Sequence, residues 1–387
     1  MKRFCVIFPL LLCGFILSAQ ASDKAVLRLF DAAYRADKGK NLMLSPWGIQ
    51  QCYGMVRGGA AGKSLSELES VLGLNQQALD AQRTARLSMQ KANSVFNSFN
   101  AVLFDRKYQL QAKFIRHSSG LCGGKLYRVD FTRKKECLEL LNSIVKRESR
   151  KLFDKVFTSR DLEGEPAMIL LNVLSFKDSW SSPFDSDSTR KEPFFVPGQG
   201  KVTVDMMNDS RYLPYYDDGT LHGIVLDYKE RRFKMLVLTS KDKSVPLETV
   251  TRELASKGVR HFVSNASSHN ETVIKLPKLE LQSPVDLVKL LRANGMSSLF
   301  DPQTADLSGM VQGSVPLYVS RSRQIIKLAL HEQGTFMAAV TFMGIELASA
   351  PEEAKVWNHF HADHPFVLVL FDSETNSTLL VSAVVMP

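Results

Sequence analysis

The stretch His331-Glu-Gln-Gly-Thr-Phe-Met-Ala-Ala-Val-Thr341 begins polar, holds one glycine at 334, and then runs into small and β-branched side chains. Beyond it, Ser349-Ala-Pro-Glu-Glu353 has the composition of an exposed turn. Pro365 then introduces a strong strand signal, Phe366-Val-Leu-Val-Leu370. A segment with strand propensity but small side chains, lying between strands, is either a surface loop or a strand that no sheet yet uses. The rest of the chain has to decide between the two.

Upstream, the order of elements argues for an α+β fold. Residues 24–36 (KAVLRLFDAAYRA) carry apolar side chains at helical spacing. Ser45-Pro46 opens a second helix, with serine as the cap and proline in the first turn, and Gly58-Gly59 closes it. Ser64 to Leu72 reads as a third helix, Ser64 standing three residues before Glu67 in capping-box spacing. Between 91 and 155, helical segments alternate with a short strand at Ala101–Phe104. Beyond 165 strands dominate: Ala167–Phe176, Phe233–Leu238, Thr272–Leu276 and Phe366–Phe371, with one helix at Val285–Asn294 stopped by Gly295. Helices followed by strands, with no regular βαβ alternation, no repeat and no linker, predict one α+β domain.

The 387 residues carry 44% hydrophobic and 23% charged side chains, enough for a sizeable core. No apolar run reaches the ~18 residues of a membrane span. Lys2 and Arg3, the apolar run Phe4–Leu17 and Ala19-Gln20-Ala21 predict a secretory signal over residues 1–21, cleaved before Ser22. The mature chain then spans 22–387 and is exported, either outside the cell or to a periplasm, with no membrane attachment. Losing Lys2 and Arg3 takes the formal charge from +9 to +7. Cys52, Cys122 and Cys137 remain, an odd number, so at least one thiol is free or pairs between chains.

Candidate chemistry is sparse. Gly58-Gly-Ala-Ala-Gly62-Lys63-Ser64 imitates a phosphate-binding loop, but Arg57 occupies the place of the required first glycine. It reads instead as a turn between helices that uses glycine for positive φ. His359, His361 and His364 lack the spacing of a helical metal site and read as a solvated loop, so no metal and no cofactor are expected. No Gly-x-Ser-x-Gly elbow is present, and the carboxylates are scattered, so the chain is not read as an enzyme. Between Arg106 and Arg160 stand 15 Lys/Arg against 5 Asp/Glu. Lys146 with Arg150, and Arg147 with Lys151, form i, i+4 neighbours of a basic helix face, a candidate site for a polyanion such as heparin. Aromatic interleaving is weak there, which argues against nucleic acid. Asn208, Asn265, Asn270 and Asn376 head Asn-x-Ser/Thr sequons.

Taken in order, several motifs resemble the serpins over nearly all of the mature chain. They are Asn41-Leu-Met-Leu-Ser45-Pro46, Gly59-Ala-Ala-Gly62, Val129-Asp-Phe131, Leu141-Asn-Ser-Ile-Val145 and Leu171-Asn172 with Phe176-Lys177 and Trp180. Pro183-Phe184-Asp185, Leu276-Pro-Lys278, Asp286-Leu287, Asp306-Leu-Ser-Gly309, Glu332-x-Gly334-Thr335 and His364-Pro365-Phe366 continue the series.

The resemblance implies a single domain of helices packed on three β-sheets, with a reactive-centre loop over about 332–355. It implies a monomeric suicide-substrate inhibitor of a serine protease, whose cleaved loop enters the central sheet as a new strand. The hinge falls on Glu332, Gly334, Thr335, Phe336, Met337, Ala338, Ala339 and Val340. Strand alternation turns Thr335, Met337, Ala339 and Thr341 inward, and Phe336, Ala338 and Val340 outward. Counted from Glu332 as in inhibitory members, the scissile bond is Ala348-Ser349, suited to an elastase-like pocket. Leu347-Ala348 is the alternative, suited to a chymotrypsin-like one.

Ser45, Asn172, Trp180 and Gln324 correspond to the region where the sheet opens. Gly48 and Gln324 stand where the family usually has a serine and a histidine. Ile144 replaces a tryptophan, and Leu380-Val381-Ser382 replaces Phe-Met-Gly. A non-inhibitory serpin, acting as carrier, chaperone or protease substrate, is the alternative reading.

Overall fold

A computed structural model describes residues 7–90, 95–164, 166–335 and 357–387, with side chains from Ser22 onward. The chain begins with α1 (Ile7–Ala36), β1 (Leu42–Leu44), α2 (Pro46–Arg57), α3 (Gly62–Leu72) and α4 (Gln76–Met89). There follow β2 (Phe96–Asp105), α5 (Ala112–Ile115), β3 (Lys125–Val129), α6 (Lys134–Glu148), β4 (Met168–Phe176) and β5 (Asp178–Ser179). A run of strands comes next: β6 (Arg190–Val196), β7 (Gly200–Tyr212), β8 (Tyr215–Asp217), β9 (Leu221–Asp227) and β10 (Phe233–Ser240). Helices α7 (Leu247–Lys257) and α8 (Val259–Ser264) precede β11 (Glu271–Pro277), β12 (Leu279–Asp286), α9 (Leu287–Ala293), β13 (Arg323–His331) and β14 (Gly334–Thr335). Last come β15 (Trp357–His361), β16 (Phe366–Asp372) and β17 (Ser377–Val384).

The expected elements form, with instructive differences. Ser45 caps α2 through Oγ, which accepts the Gly48 N–H at 3.0 Å, and Pro46 is its first residue. The capping box at Ser64 does not form. Helix α3 starts earlier, after Ala61, and Glu67 instead accepts both the Ser298 N–H and hydroxyl at 2.8 and 2.7 Å. A tertiary partner outcompetes the local one. Strand β2 is longer than its apolar centre because its polar ends are also paired, in part with β4. Helix α9 begins after Asp286, whose carboxylate accepts the Lys289 N–H, while Val285 belongs to β12. Gly62 supplies the positive φ expected of this turn, at +50°, while Gly58 and Gly59 keep negative φ. Those two are needed for space, because an added Cβ would meet the His117 ring at 2.3 Å and Met310 Cγ at 2.1 Å.

One six-stranded sheet runs β1-β17-β16-β10-β9-β8, and a second runs β15-β11-β7-β6. The central sheet comes in two ladders, β3-β2-β4 and β12-β13-β14-β5, joined because only Lys177 separates β4 from β5. Counted this way, the described residues form helices packed on three sheets, the α+β architecture expected. Among the described residues no ladder joins β4 to β13. The central sheet is therefore parted along most of its length and bridged at one end by the two residues of β14, antiparallel to both neighbours.

Helix α6 lies over one half of this sheet. Its apolar stripe of Cys137, Leu141, Ile144 and Val145 packs on Phe99, Ala101, Leu103, Leu171 and Val173 from β2 and β4. Each large side chain so buried contributes roughly 1.5–3 kcal/mol. The three thiols form no disulfide; burial pushes Cys52 and Cys122 up to about 12.

Candidate functional site

At the bridged end of the parted sheet, three hydrogen bonds to main-chain carbonyls fix the residues leading into the loop. The Trp180 N–H donates to the Gln333 carbonyl at 3.0 Å, the Trp180 indole N–H to the His331 carbonyl at 2.9 Å, and the Phe184 N–H to the Glu332 carbonyl at 2.8 Å. The Glu332 carboxylate accepts from Thr189 Oγ1 at 2.9 Å and pairs with Lys278 Nζ at 3.0 Å. Burial alone would raise this carboxyl, but its backbone contact, Lys278 and Thr189 together hold it below its ordinary value.

The next two residues turn back into the sheet. Gly334 pairs with His331 on one side and Ser179 on the other, and Thr335 with Leu330 and Asp178. Glycine is required at 334: φ is +147°, and a Cβ would meet the Asp178 carbonyl oxygen at 2.3 Å. Thr335 is only 2% exposed and shares a 2.5 Å hydrogen bond with the Tyr228 hydroxyl. The Tyr228 ring stacks on Trp180 at 4.5 Å, and burial pushes its phenol upward. Thr335 thus faces inward, as its strand parity predicts. Phe336, Met337, Ala338, Ala339, Val340 and the bond Ala348-Ser349 lie outside the described residues.

Deeper in the parted sheet a second cluster spans the gap behind it. Gln324 of β13 holds the Ser45 main chain, and Ser45 Oγ donates to the Leu379 carbonyl at 2.6 Å. Asn172 of β4 donates from Nδ2 to Asn100 Oδ1 at 2.8 Å, and Asn100 donates to Gln51 Oε1 and the Cys122 carbonyl at 3.0 Å each. Gly48 lies where the groups converge, since a Cβ there would stand 2.8 Å from Asn172 Oδ1 and 3.0 Å from Gln324 Nε2. Ser45, Asn172 and Gln324 thus come together around Gly48. Trp180 stands apart from them, at the bridged end of the same parted sheet, against His331, Gln333 and Tyr228.

The far end is tied as well. Arg323, the first residue of β13, donates to the Val156 carbonyl at 2.6 Å and to Asp161 Oδ2 at 2.9 Å. Asn142 of α6 fastens the same connection, accepting the N–H groups of Val156 and Phe157 at 2.9 Å each and donating to the Phe157 carbonyl at 3.0 Å.

Sequence reasoning missed Tyr228, Thr189, Arg323 and the partner role of Lys278. Each acts across the sheet, so no local spacing announces it.

Other expectations need correction. Helix α6 ends at Glu148, and Arg150 and Lys151 take left-handed φ of 55° and 67°, so the predicted i, i+4 basic face is not built. Lys146 pairs with Asp154 at 2.8 Å and Arg147 with Glu148 at 2.9 Å. The histidines are not a solvated loop: His359 and His361 belong to β15, and His364 is 3% exposed, sharing hydrogen bonds with Thr239, Asp363 and the Ser240 carbonyl. Among the described residues no cluster of His, Cys, Asp or Glu fits a metal ion.

A family model described as Serpin (serine protease inhibitor) matches residues 20–387. Iripin-2 of Ixodes ricinus is 27% identical over 376 residues, covering 94% of this chain and 92% of its own. Leukocyte elastase inhibitor of Equus caballus is 26% identical over 366 residues, 90% of this chain and 94% of its own. Among solved structures, native protease nexin-1 with heparin superposes with a TM-score of 0.81 at 21% identity, covering 97% of this chain and all of that one.

Proposed function

Because the chain belongs to the serpin family, a family of protease inhibitors rather than enzymes, we propose that it inhibits a serine protease as a suicide substrate. The target has an elastase-like pocket, and the reactive bond is Ala348-Ser349. The protease serine attacks the Ala348 carbonyl, releasing the Ser349 amine and leaving Ala348 esterified to the enzyme. Once cut, the freed strand runs into the gap between β4 and β13, gaining two ladders of hydrogen bonds worth about 0.5–1.5 kcal/mol net per bond. The protease is carried along before water can hydrolyse the ester.

One observation carries this reading. Gly334 and Thr335 are already paired on both sides at the mouth of a gap that no other described strand fills, in the orientation that a further strand would continue.

Secretion is part of the proposal. The signal-like residues 1–21 precede Ser22 and Asp23, which are buried in the fold, and the family match begins at residue 20. Heparin at Lys146, Arg147, Arg150 and Lys151 is not carried forward, since two of those cations are ion-paired.

Incubation with elastase followed by denaturing electrophoresis tests inhibition directly. A covalent complex is expected, with mass spectrometry placing the new terminus at Ser349. Complete cleavage without complex, leaving the melting temperature unchanged, would remove the inhibitory reading in favour of a non-inhibitory serpin.

A further inference from the structure

Helix α4 carries two polar side chains where its helical period calls for apolar ones. Its inward stripe runs Ala78, Leu79, Gln82, Ala85, Arg86 and Met89. Arg86 is only 8% exposed and Gln82 6%. One turn apart on the same face, both reach the loop that leaves a π-helical turn at Arg116–Leu121. Arg86 Nη2 donates to the Leu121 carbonyl at 3.2 Å, and the guanidinium fills the space beside Gly123, where a Cβ would stand 2.5 Å from Cζ and 3.0 Å from Nε. Gln82 Oε1 and Cys122 Sγ both lie near the β-position of Gly54, at 3.8 and 3.9 Å. One loop, 118–124, thus receives both side chains.

Each side chain keeps a donor that meets nothing in the protein. Among the described residues the Nε–H of Arg86, the Nε2 of Gln82 and the hydroxyl of Ser118 are buried and have no hydrogen-bond partner. Ser118 is fully buried in the same loop, where its carbonyl accepts the Gly124 N–H at 2.7 Å. The other end of the Gln82 amide is engaged, its Oε1 accepting from Gln51 Nε2 at 3.5 Å. Arg86 has no carboxylate partner among the described residues. Burial lowers its pKa, Cys122 opposes that shift and the like charge of Arg83 adds to it.

A guanidinium stays ionised even here, and a buried charge with no counter-charge is strongly destabilising. Three donors around one such charge call for a single negatively charged acceptor. Water accepts two hydrogen bonds and leaves the charge uncompensated. Close packing sets the size of the guest. A Cβ on Gly124 would meet Met55 Sδ at 2.9 Å and the Ser118 carbonyl oxygen at 3.1 Å, which favours a monatomic ion over sulfate or phosphate.

We propose that Arg86, Gln82 and Ser118 enclose a buried halide site that takes chloride. The proposal stands apart from the inhibitory reading and needs no protease. Its consequence is structural support. The Cys122 carbonyl in this loop accepts from Asn100, and Asn100 accepts from Asn172 of β4, so the ion steadies the network behind the parted sheet.

The test uses the full-length protein, melted in sodium chloride and in sodium gluconate at equal ionic strength so that screening is held constant. Chloride is expected to raise the melting temperature by about 2–4 °C, with bromide able to replace it. The rise should vanish in Arg86→Gln, shrink in Gln82→Leu and persist in Arg83→Gln, whose side chain is on the exposed face of the same helix. Crystals grown in bromide should show an anomalous peak beside Arg86 Nε. Equal melting of the parent in both salts overturns the site, and a bromide peak found without any such dependence then counts as an adventitious ion only. A chloride effect that survives Arg86→Gln, or bromide crystals with water alone at Arg86, overturns it as well. If Arg86→Gln does not fold, Gln82→Leu and the bromide map of the parent decide.

Discussion

Gln324 grips the main chain of Ser45 in both directions, its Oε1 accepting the Ser45 N–H at 2.8 Å and its Nε2 donating to the Ser45 carbonyl at 3.3 Å. A side-chain amide from β13 thereby anchors that strand to the start of α2, beside Asn172 from β4. Glutamine suits the place because it offers a donor and an acceptor together. Gly48 completes the arrangement by leaving room for both amides.

Filling that room should be costly. Gly48→Ala is expected to lower stability by about 1–3 kcal/mol, because its Cβ meets Asn172 Oδ1 and Gln324 Nε2 inside contact distance. Gln324→Ala, which strips a buried N–H of its partner, should cost a similar ~1–3 kcal/mol. Urea unfolding of the intact protein measures both, and a shift below half a kilocalorie would show that the cluster is not structural.

At the hinge, Gly334→Ala should expel β14. The new methyl group collides with the Asp178 carbonyl oxygen and the backbone φ of +147° disfavours any side chain. The expected result is a protein that elastase still cleaves but traps poorly, read as a fall in covalent complex relative to cleaved product. Tyr228→Phe is the gentler version. It removes the partner of the Thr335 hydroxyl while keeping the stack on Trp180, at a cost of about 1 kcal/mol in the intact protein.

Two buried titratable groups should oppose one another in acid. Burial, with His364 nearby, lowers His222 from 6.5 to about 4; Asp217 counteracts and Lys241 and His361 add to the shift. A base with a depressed folded pKa loses stability as pH falls from 6.5 towards 4. Asp23 is raised from 3.8 to about 6 by burial, although the Thr378 N–H and Gln50 support its charge. An acid with a raised folded pKa loses stability as pH climbs from 3.8 through 6. Each effect is worth roughly 3 kcal/mol. Melting temperature should therefore vary little between pH 4 and 6, while His222→Phe exposes the rise towards acid and Asp23→Asn the fall. In a chain processed before Ser22 the new α-ammonium would stand beside Asp23 and favour its ionised form, so the Asp23 arm also reports processing.

Cys52, Cys122 and Cys137 should resist alkylation in the folded protein at pH 8 and react after denaturation. Burial holds Cys52 and Cys122 near 12, and Cys137 Sγ lies 3.1 Å from the Asp130 carbonyl. Rapid labelling of the native protein would contradict this packing.

Local chemistry made much of the architecture legible. Ser45-Pro46 announced α2, Gly295 ended α9, and apolar runs located β4, β10, β11 and β16. Order along the chain then pointed to Gly334 and Thr335 at the bridged end and to Ser45, Asn172 and Gln324 around Gly48. What stayed hidden was decided by distant partners. Glu67 looked like the second half of a cap and serves Ser298 instead. Trp180 looked like a companion of Asn172 and stacks on Tyr228. The basic run looked like one helical face until the chain left the helix at Ser149. The histidines carried no periodicity that distinguished an edge strand from a loop.

Under the proposed mechanism, the tie between Arg323 and the α6–β4 connection would make trapping a contest of speeds. A strand advancing into the sheet from Thr335 meets, at the opposite end, a buckle of two hydrogen bonds that has to come undone before the advance is complete. Loosening that buckle would let the passenger travel the full distance sooner; tightening it would give water longer to set the enzyme free.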